Sequence, residues 1–273
     1  DLVRSRGLGD VYKRQLLGVI ANKPVDLEFS LLKADRPFRN FGESNRDGWG
    51  LGWYENDQAR VFKRGLSALN DPCFVEFSKE IRSKIIIAHV RMGTIGTTSE
   101  LNSHPFQYKN WIFAHNGSID REFLFGLLKD RYRKNVKGGT DSEVYFYWIL
   151  QCIGECRSVP KGIKKAVEKV ITHRHTGLNF LLSDGARLYA FRYSNNSRGY
   201  YSLYLLRRIS FCDDLFHVVS DETGALLKSK SLRRERAVLV CSEKLTGENW
   251  EEIEVGCLVT VGRNLNIRIE QIL

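Results

Sequence analysis

Four short segments in the first half of the chain carry residue types that can bind and cleave a carbonyl compound. In Ile-Ile-Ile-Ala-His-Val-Arg at 85–91, strand periodicity puts His89 and Arg91 on one face, with Arg91 at the strand's end. A guanidinium there can grip a carboxylate through two parallel hydrogen bonds, although an arginine leaving a strand is equally at home as plain surface. In Phe-Ala-His-Asn-Gly-Ser at 113–118, an Asn-Gly pair follows an apolar run. Such pairs commonly form hairpin turns, but a helical stretch comes next, so the Asn116 amide and the Gly117 N–H can instead converge on an oxyanion. In Gly-Gly-Thr-Asp-Ser-Glu at 138–143, Asp141 falls in a first helical turn. The helix dipole alone accounts for it, and it can also hold an ammonium group. The last segment alternates Gly48, Gly50 and Gly52 around Trp49 and Leu51 at the start of a strand. That pattern admits a ligand or a second backbone at close range, or simply a tight turn, and lacks the spacing of a dinucleotide or phosphate loop.

The elements that must position these groups follow from hydrophobic period and turn residues. Strands are expected at 16–21, at 49–55 and 60–64 around an Asn56-Asp57 turn, at 84–91 and at 111–115. Helices are expected at 26–34, 72–82 and 119–129. The clearest helix, 142–155, opens on Thr140 and Glu143, the pair that makes a capping box. Its Val144, Tyr145, Phe146, Trp148 and Ile149 leave almost no polar face, which predicts burial on more than one side. A helix at 161–172 precedes strands at 177–183, 187–193, 202–209, 216–220, 237–241 and 258–261. With no linker and no internal repeat, the pattern reads as one α+β domain, 16–273, of two largely antiparallel sheets with flanking helices. Too few helices separate the strands for a doubly wound parallel fold.

The bulk properties narrow the function classes. No apolar run in the 273 residues approaches the roughly 20 needed to span a bilayer, and the start lacks the pattern of a signal peptide, so a cytoplasmic location is expected. Six scattered cysteines without a Cys-x-x-Cys spacing fit reduced thiols. The net charge of +10 has no aromatic-interleaved stripe behind it, and the densest basic run, 228–236, is broken by Glu235, so no nucleic-acid partner is expected. His173 and His175 lack a nearby third ligand, and no metal is expected. Residues 1–15 resemble one reading frame of a sequencing adapter and show no apolar periodicity. They are expected to be a non-native extension outside the core.

Taken together, the four segments resemble the class II glutamine amidotransferases, especially the compact stand-alone members, over at least 16–143. The resemblance rests on Leu-Leu-Gly at 16–18, Asp-Gly-Trp-Gly at 47–50, His-x-Arg at 89–91, Asn-x-His-Pro at 102–105, His-Asn-Gly at 115–117 and Thr-Asp-Ser-Glu at 140–143. The stretch Cys-Ser-Glu-Lys-Leu at 241–245, with Trp250 before Gly256, resembles the tail of the same group. This implies an N-terminal-nucleophile hydrolase fold, a four-layer αββα sandwich, in agreement with the strands read above. It further implies that Arg91 holds the substrate α-carboxylate, Asp141 its α-amine, and Asn116 with Gly117 the oxyanion. Gly48, Trp49, Gly93, Thr94 and His104 would shape the pocket. No cofactor is implied. The substrate would be glutamine or a γ-glutamyl small molecule, and the chain would be either a free-standing γ-glutamyl hydrolase or a subunit that hands ammonia to a separate accepting subunit.

In that family the nucleophile is a cysteine at the mature N-terminus, separated by one residue from Leu-Leu-Gly, where this chain has Arg14. A free α-amine titrates near about 8 and can take the thiol proton of its own residue, so an internal cysteine does not substitute. Two expectations follow. In one, the native start supplies a cysteine directly before Gln15, and the chain as given folds without turning over. In the other, the chain is a non-catalytic glutamine-binding or interaction module that begins as given.

Overall fold

A computed structural model describes residues 15–91, 99–195, 201–208 and 236–273. The strand expected at 216–220, Cys212 and most of the basic run lie outside the described residues. The first sheet contains β1 (Gln15–Val25), β2 (Gly48–Glu55), β3 (Gln58–Arg64), β4 (Ser83–Arg91), β9 (Tyr204–Arg208), β10 (Ala237–Cys241) and β11 (Glu251–Glu252). They run in the order β11-β9-β10-β1-β4-β2-β3. The second sheet contains β5 (Phe106–Tyr108), β6 (Trp111–Asn116), β7 (Asn179–Ser183), β8 (Arg187–Phe191), β12 (Cys257–Gly262) and β13 (Ile267–Gln271), in the order β13-β12-β8-β7-β6-β5. Every described strand pair is antiparallel.

Strand alternation sorts the apolar residues into layers. Leu16 and Ile20 of β1 and Ile85 and Ile87 of β4 face Ile112, Ala114, Leu181 and Val259 of the other sheet, forming a core between the sheets. The intervening Leu17, Val19, Ile86 and Val90 point the opposite way, onto Leu31, Phe38 and Phe74. That outer layer is thin: a π-helical turn at Phe29–Lys33, a 3-10 turn at Phe38–Glu43, and α1 (Pro72–Glu80), whose first turn is capped by Asp71. The helix expected at 26–34 therefore survives only as a single turn.

On the far side of the second sheet, Phe113, Phe180, Leu182 and Tyr189 pack against α2 (Arg121–Leu127), α4 (Asp141–Cys156) and α5 (Val159–Val170). The short α3 (Asp130–Arg133) adds Tyr132. Helix α4 is buried from residue 141 to 152, as its all-round apolar sequence requires. The result is a four-layer αββα sandwich, the architecture that the resemblance implies.

Local details follow the chemistry of the turns. Asn56 and Asp57 adopt φ of 51° and 60°, the left-handed pair that matches the twist of a two-residue hairpin. Thr140 caps α4 by accepting from the Glu143 N–H at 3.3 Å. The Glu143 carboxylate, however, accepts from the N–H groups of Lys137 and Gly138, so it fixes the loop before the helix rather than closing the box on residue 140. Strand β1 already begins at Gln15, which is buried and pairs with Val90. Among the described residues, no helix is long and apolar enough to cross a membrane.

Candidate active site

The inner faces of the two sheets meet at the end where β1 begins. On β4, His89 lies opposite Leu16 on one side and Gly50 of β2 on the other. Its Nε2 stands 3.1 Å from Asn116 Oδ1, at the end of β6 in the opposite sheet. Both side chains are buried. The imidazole and the amide thus bridge the inter-sheet layer just where its apolar filling stops.

Gly117 turns the chain out of β6 with φ of +141°, and a Cβ there would lie 1.7 Å from the Gly177 carbonyl oxygen. Only glycine fits. Two residues later, the Ile119 N–H donates to Asp141 Oδ2 at 2.9 Å, while Asp141 Oδ1 accepts from the Ser142 N–H at 2.9 Å. The Asp141 carboxylate is 1% exposed at the N-terminus of α4, held by backbone donors and favoured by the helix dipole. A carboxylate offers about four acceptor positions, so this one retains capacity for a further donor. His115, on the opposite face of β6, ties the same region down from below, with Nδ1 2.9 Å from Ser142 Oγ and Nε2 3.2 Å from the Gly177 carbonyl.

The alternating glycines of β2 have a definite use. A Cβ at Gly48 would lie 2.3 Å from Ser103 Oγ, at Gly50 2.3 Å from the His104 carbonyl, and at Gly52 2.7 Å from Ile112 Cγ2. The 103–105 segment therefore lies directly on the inner face of β2, which a side-chain-bearing strand would forbid. Its His104 ring sits 4.2 Å from the His89 ring, centroid to centroid. Asn102 Oδ1 accepts from the Gly139 N–H at 2.9 Å, bringing the loop before α4 to the same edge.

Arg91, 1% exposed, pairs with Gly48 across β4 and β2, and its Nη1 donates to the Asp47 carbonyl at 3.3 Å. Gly48, Arg91, His104, Asn116, Gly117 and Asp141 are thereby linked through successive contacts around one end of the sandwich. Trp49 has the opposite strand parity and points outward, packing edge-on against Phe74 and donating from Nε1 to Asp71 Oδ2 at 2.9 Å. Gly93, Thr94 and Arg14 lie outside the described residues.

Ser242 is a member of this arrangement that the reading of the residues passed over. Its Oγ accepts from the Leu16 N–H at 3.1 Å and from Asn116 Nδ2 at 3.2 Å. Its only sequence signal is its place in the Cys-Ser-Glu-Lys-Leu tail. The neighbouring Cys241 faces the outer core, and burial pushes its thiol up to about 12. Burial does the same to Cys152, also up to about 12, in the helical layer. Neither offers a thiolate at neutral pH.

Comparison with known proteins identifies the family to which this fold belongs. The sequence profile described as "Glutamine amidotransferases class-II" matches residues 14–269. The protein named "Putative glutamine amidotransferase YafJ" of Escherichia coli (strain K12) is 29% identical over 254 residues, 89% of this chain and 94% of its own length. The "Gamma-glutamyl-hercynylcysteine sulfoxide hydrolase" of Mycolicibacterium smegmatis is 32% identical over 114 residues, covering 41% of this chain and 49% of that protein. Among solved structures, a glutamine aminotransferase class-II domain protein from Silicibacter pomeroyi superposes with a TM-score of 0.66 at 21% identity, covering 94% of this chain and 98% of that one. With its profile match running from residue 14, just before β1, into β13, the chain belongs to the class II glutamine amidotransferases.

Proposed function

We propose that this domain, in a form beginning with a cysteine directly before Gln15, hydrolyses the side-chain amide of glutamine or of a γ-glutamyl compound. The observation that carries the reading is the Asn116 amide, held between His89 and Ser242 beside the start of β1. The terminal amine takes the thiol proton, and the sulfur attacks the γ-carbonyl carbon. Asn116 and the Gly117 N–H stabilise the oxyanion. As the C–N bond breaks, the leaving nitrogen takes the proton and departs as ammonia or an amine. Water then cleaves the thioester, returning glutamate and the thiol.

In the same reading Arg91 holds the α-carboxylate and Asp141 the α-amine, while Gly48, Trp49, Gly93, Thr94 and His104 build or back the pocket. A free-standing γ-glutamyl hydrolase fits the hydrolase named among the relatives. Transfer of ammonia to a separate subunit is the other outlet of the same chemistry. No step calls for a cofactor.

The test starts from the full chain carrying Arg14→Cys, with residues 1–13 removed by a site-specific protease after folding. Glutamate release from glutamine or γ-glutamyl peptides is expected from this form and none from the unaltered chain. Release by the unaltered chain, or by neither form, overturns the reading.

A further inference from the structure

We propose that Ser242 is a positioning residue, whose hydroxyl sets the oxyanion-binding amide of Asn116 at a fixed place relative to the start of β1. The inference rests on the proposed amide hydrolysis and adds to it a residue that sets the geometry of attack. The argument begins with the ladder between β1 and β10, whose last regular pair is Leu17 with Cys241. The next pair, Leu16 with Ser242, is only half regular. Ser242 donates its N–H to the Leu16 carbonyl at 3.0 Å, as an antiparallel ladder requires. The Leu16 N–H goes instead to Ser242 Oγ at 3.1 Å. The Ser242 carbonyl, which would ordinarily receive it, accepts from Ser202 Oγ at 2.9 Å.

This exchange turns a side-chain oxygen into part of the strand pairing. A hydroxyl accepts two hydrogen bonds, and here the second comes from Asn116 Nδ2 at 3.2 Å. One oxygen atom therefore joins the backbone two residues after the proposed nucleophile to the amide proposed to bind the oxyanion. His89 Nε2 holds the other end of that amide at Oδ1. With both ends engaged, the amide plane is fixed and its second Nδ2 hydrogen has one direction. Oxyanion donors lose their effect when displaced by a fraction of an ångström, because their value lies in being preorganised. Ser242 touches neither substrate nor reacting atoms, so it acts through Asn116 and β1.

The experiment compares Ser242→Ala and Ser242→Thr in the cysteine-first protein. The alanine variant is expected to lose roughly 10- to 100-fold in kcat, a part of the effect of deleting an oxyanion donor, with KM changed less than about twofold. Threonine keeps the hydroxyl and is expected to recover most of the rate. The active fraction of each variant is counted by stoichiometric labelling with an electrophilic glutamine analogue, so a loss that merely follows unfolded protein is recognised. Unchanged kcat in the alanine variant, a threonine variant as impaired as alanine, or a rate loss that tracks the labelled fraction each overturns the inference. If the parent itself releases no glutamate, it is the hydrolase reading that fails, and the catalytic role of Ser242 with it. The clamp is then read separately by hydrogen exchange on the full chain, where Ser242→Ala is expected to expose the Leu16 amide and Ser242→Thr to keep it protected. Equal protection in both overturns the clamp as well.

Discussion

His89 on one sheet and Asn116 on the other meet at 3.1 Å, Nε2 to Oδ1, and this contact is the polar closure of the layer between the sheets. Apolar side chains fill that layer elsewhere, so the contacts to His89 and Ser242 orient the amide within an otherwise apolar layer. Replacing Asn116 by alanine in the cysteine-first protein is expected to lower kcat about 100- to 1,000-fold with little change in KM. Steady-state glutamate release measures both constants.

Arg91 is expected to report on binding rather than on the chemical step. Arg91→Lys keeps the charge but loses the planar fork, and its KM for glutamine should rise at least about tenfold, since a bidentate site does not treat the two cations alike. The residue is 1% exposed, so the melting temperature of the variant has to be compared with that of the parent. A KM unchanged in a well-folded variant removes Arg91 from the role of carboxylate clamp.

Gly117 is expected to tolerate no side chain. Its φ of +141°, and the 1.7 Å that would separate an alanine Cβ from the Gly177 carbonyl oxygen, mean that Gly117→Ala must displace backbone. A loss of at least about 2 kcal/mol is expected, combining strain with a clash against backbone. Urea unfolding of the full chain checks this without reference to catalysis.

Burial lowers the Lys63 ammonium from its usual 10.5 to about 8, with the Glu143 and Glu100 carboxylates opposing the shift. Between these two values the unfolded chain binds more protons at this position than the folded one, so this residue makes stability rise with pH across that window. Below about 8 the ammonium is charged in both states, and the burial penalty is felt in full. Lys63→Met is therefore expected to be more stable than the parent at about pH 7, with the advantage shrinking steadily toward about pH 10. Urea midpoints of the two proteins over that range decide it, and a constant difference counts against the assignment.

What could be read from the residues was what short-range physics controls. The Asn56-Asp57 hairpin, the buried helix behind Thr140, and the shared face of His89 and Arg91 each depend on a few neighbouring positions, and each is present. The resemblance implies that Trp49 shapes the pocket, but it alternates with Gly48 and Gly50, so its side chain faces the outer core while they face the inner layer. Short or half-exposed strands such as β5 and β13 carry too little alternation to stand out. The bond between Leu16 and Ser242 spans 226 positions, and no local pattern announces it. Family resemblance pointed to the tail motif, but only the folded chain explains what its serine does.

The place of β1 in its sheet has a consequence for the timing of maturation. It is flanked by β4 and by β10, and β10 begins only at Ala237, far along the sequence from β1. A growing polypeptide can pair its first strand with β4 long before β10 has left the ribosome, yet the edge that receives β10 stays open until then. The proposed amide-cleaving centre is thus completed by a strand made long after β1. Chains that stop before residue 237 lack both β10 and Ser242 and are expected to be inactive, so activity becomes a sign that synthesis has passed this strand.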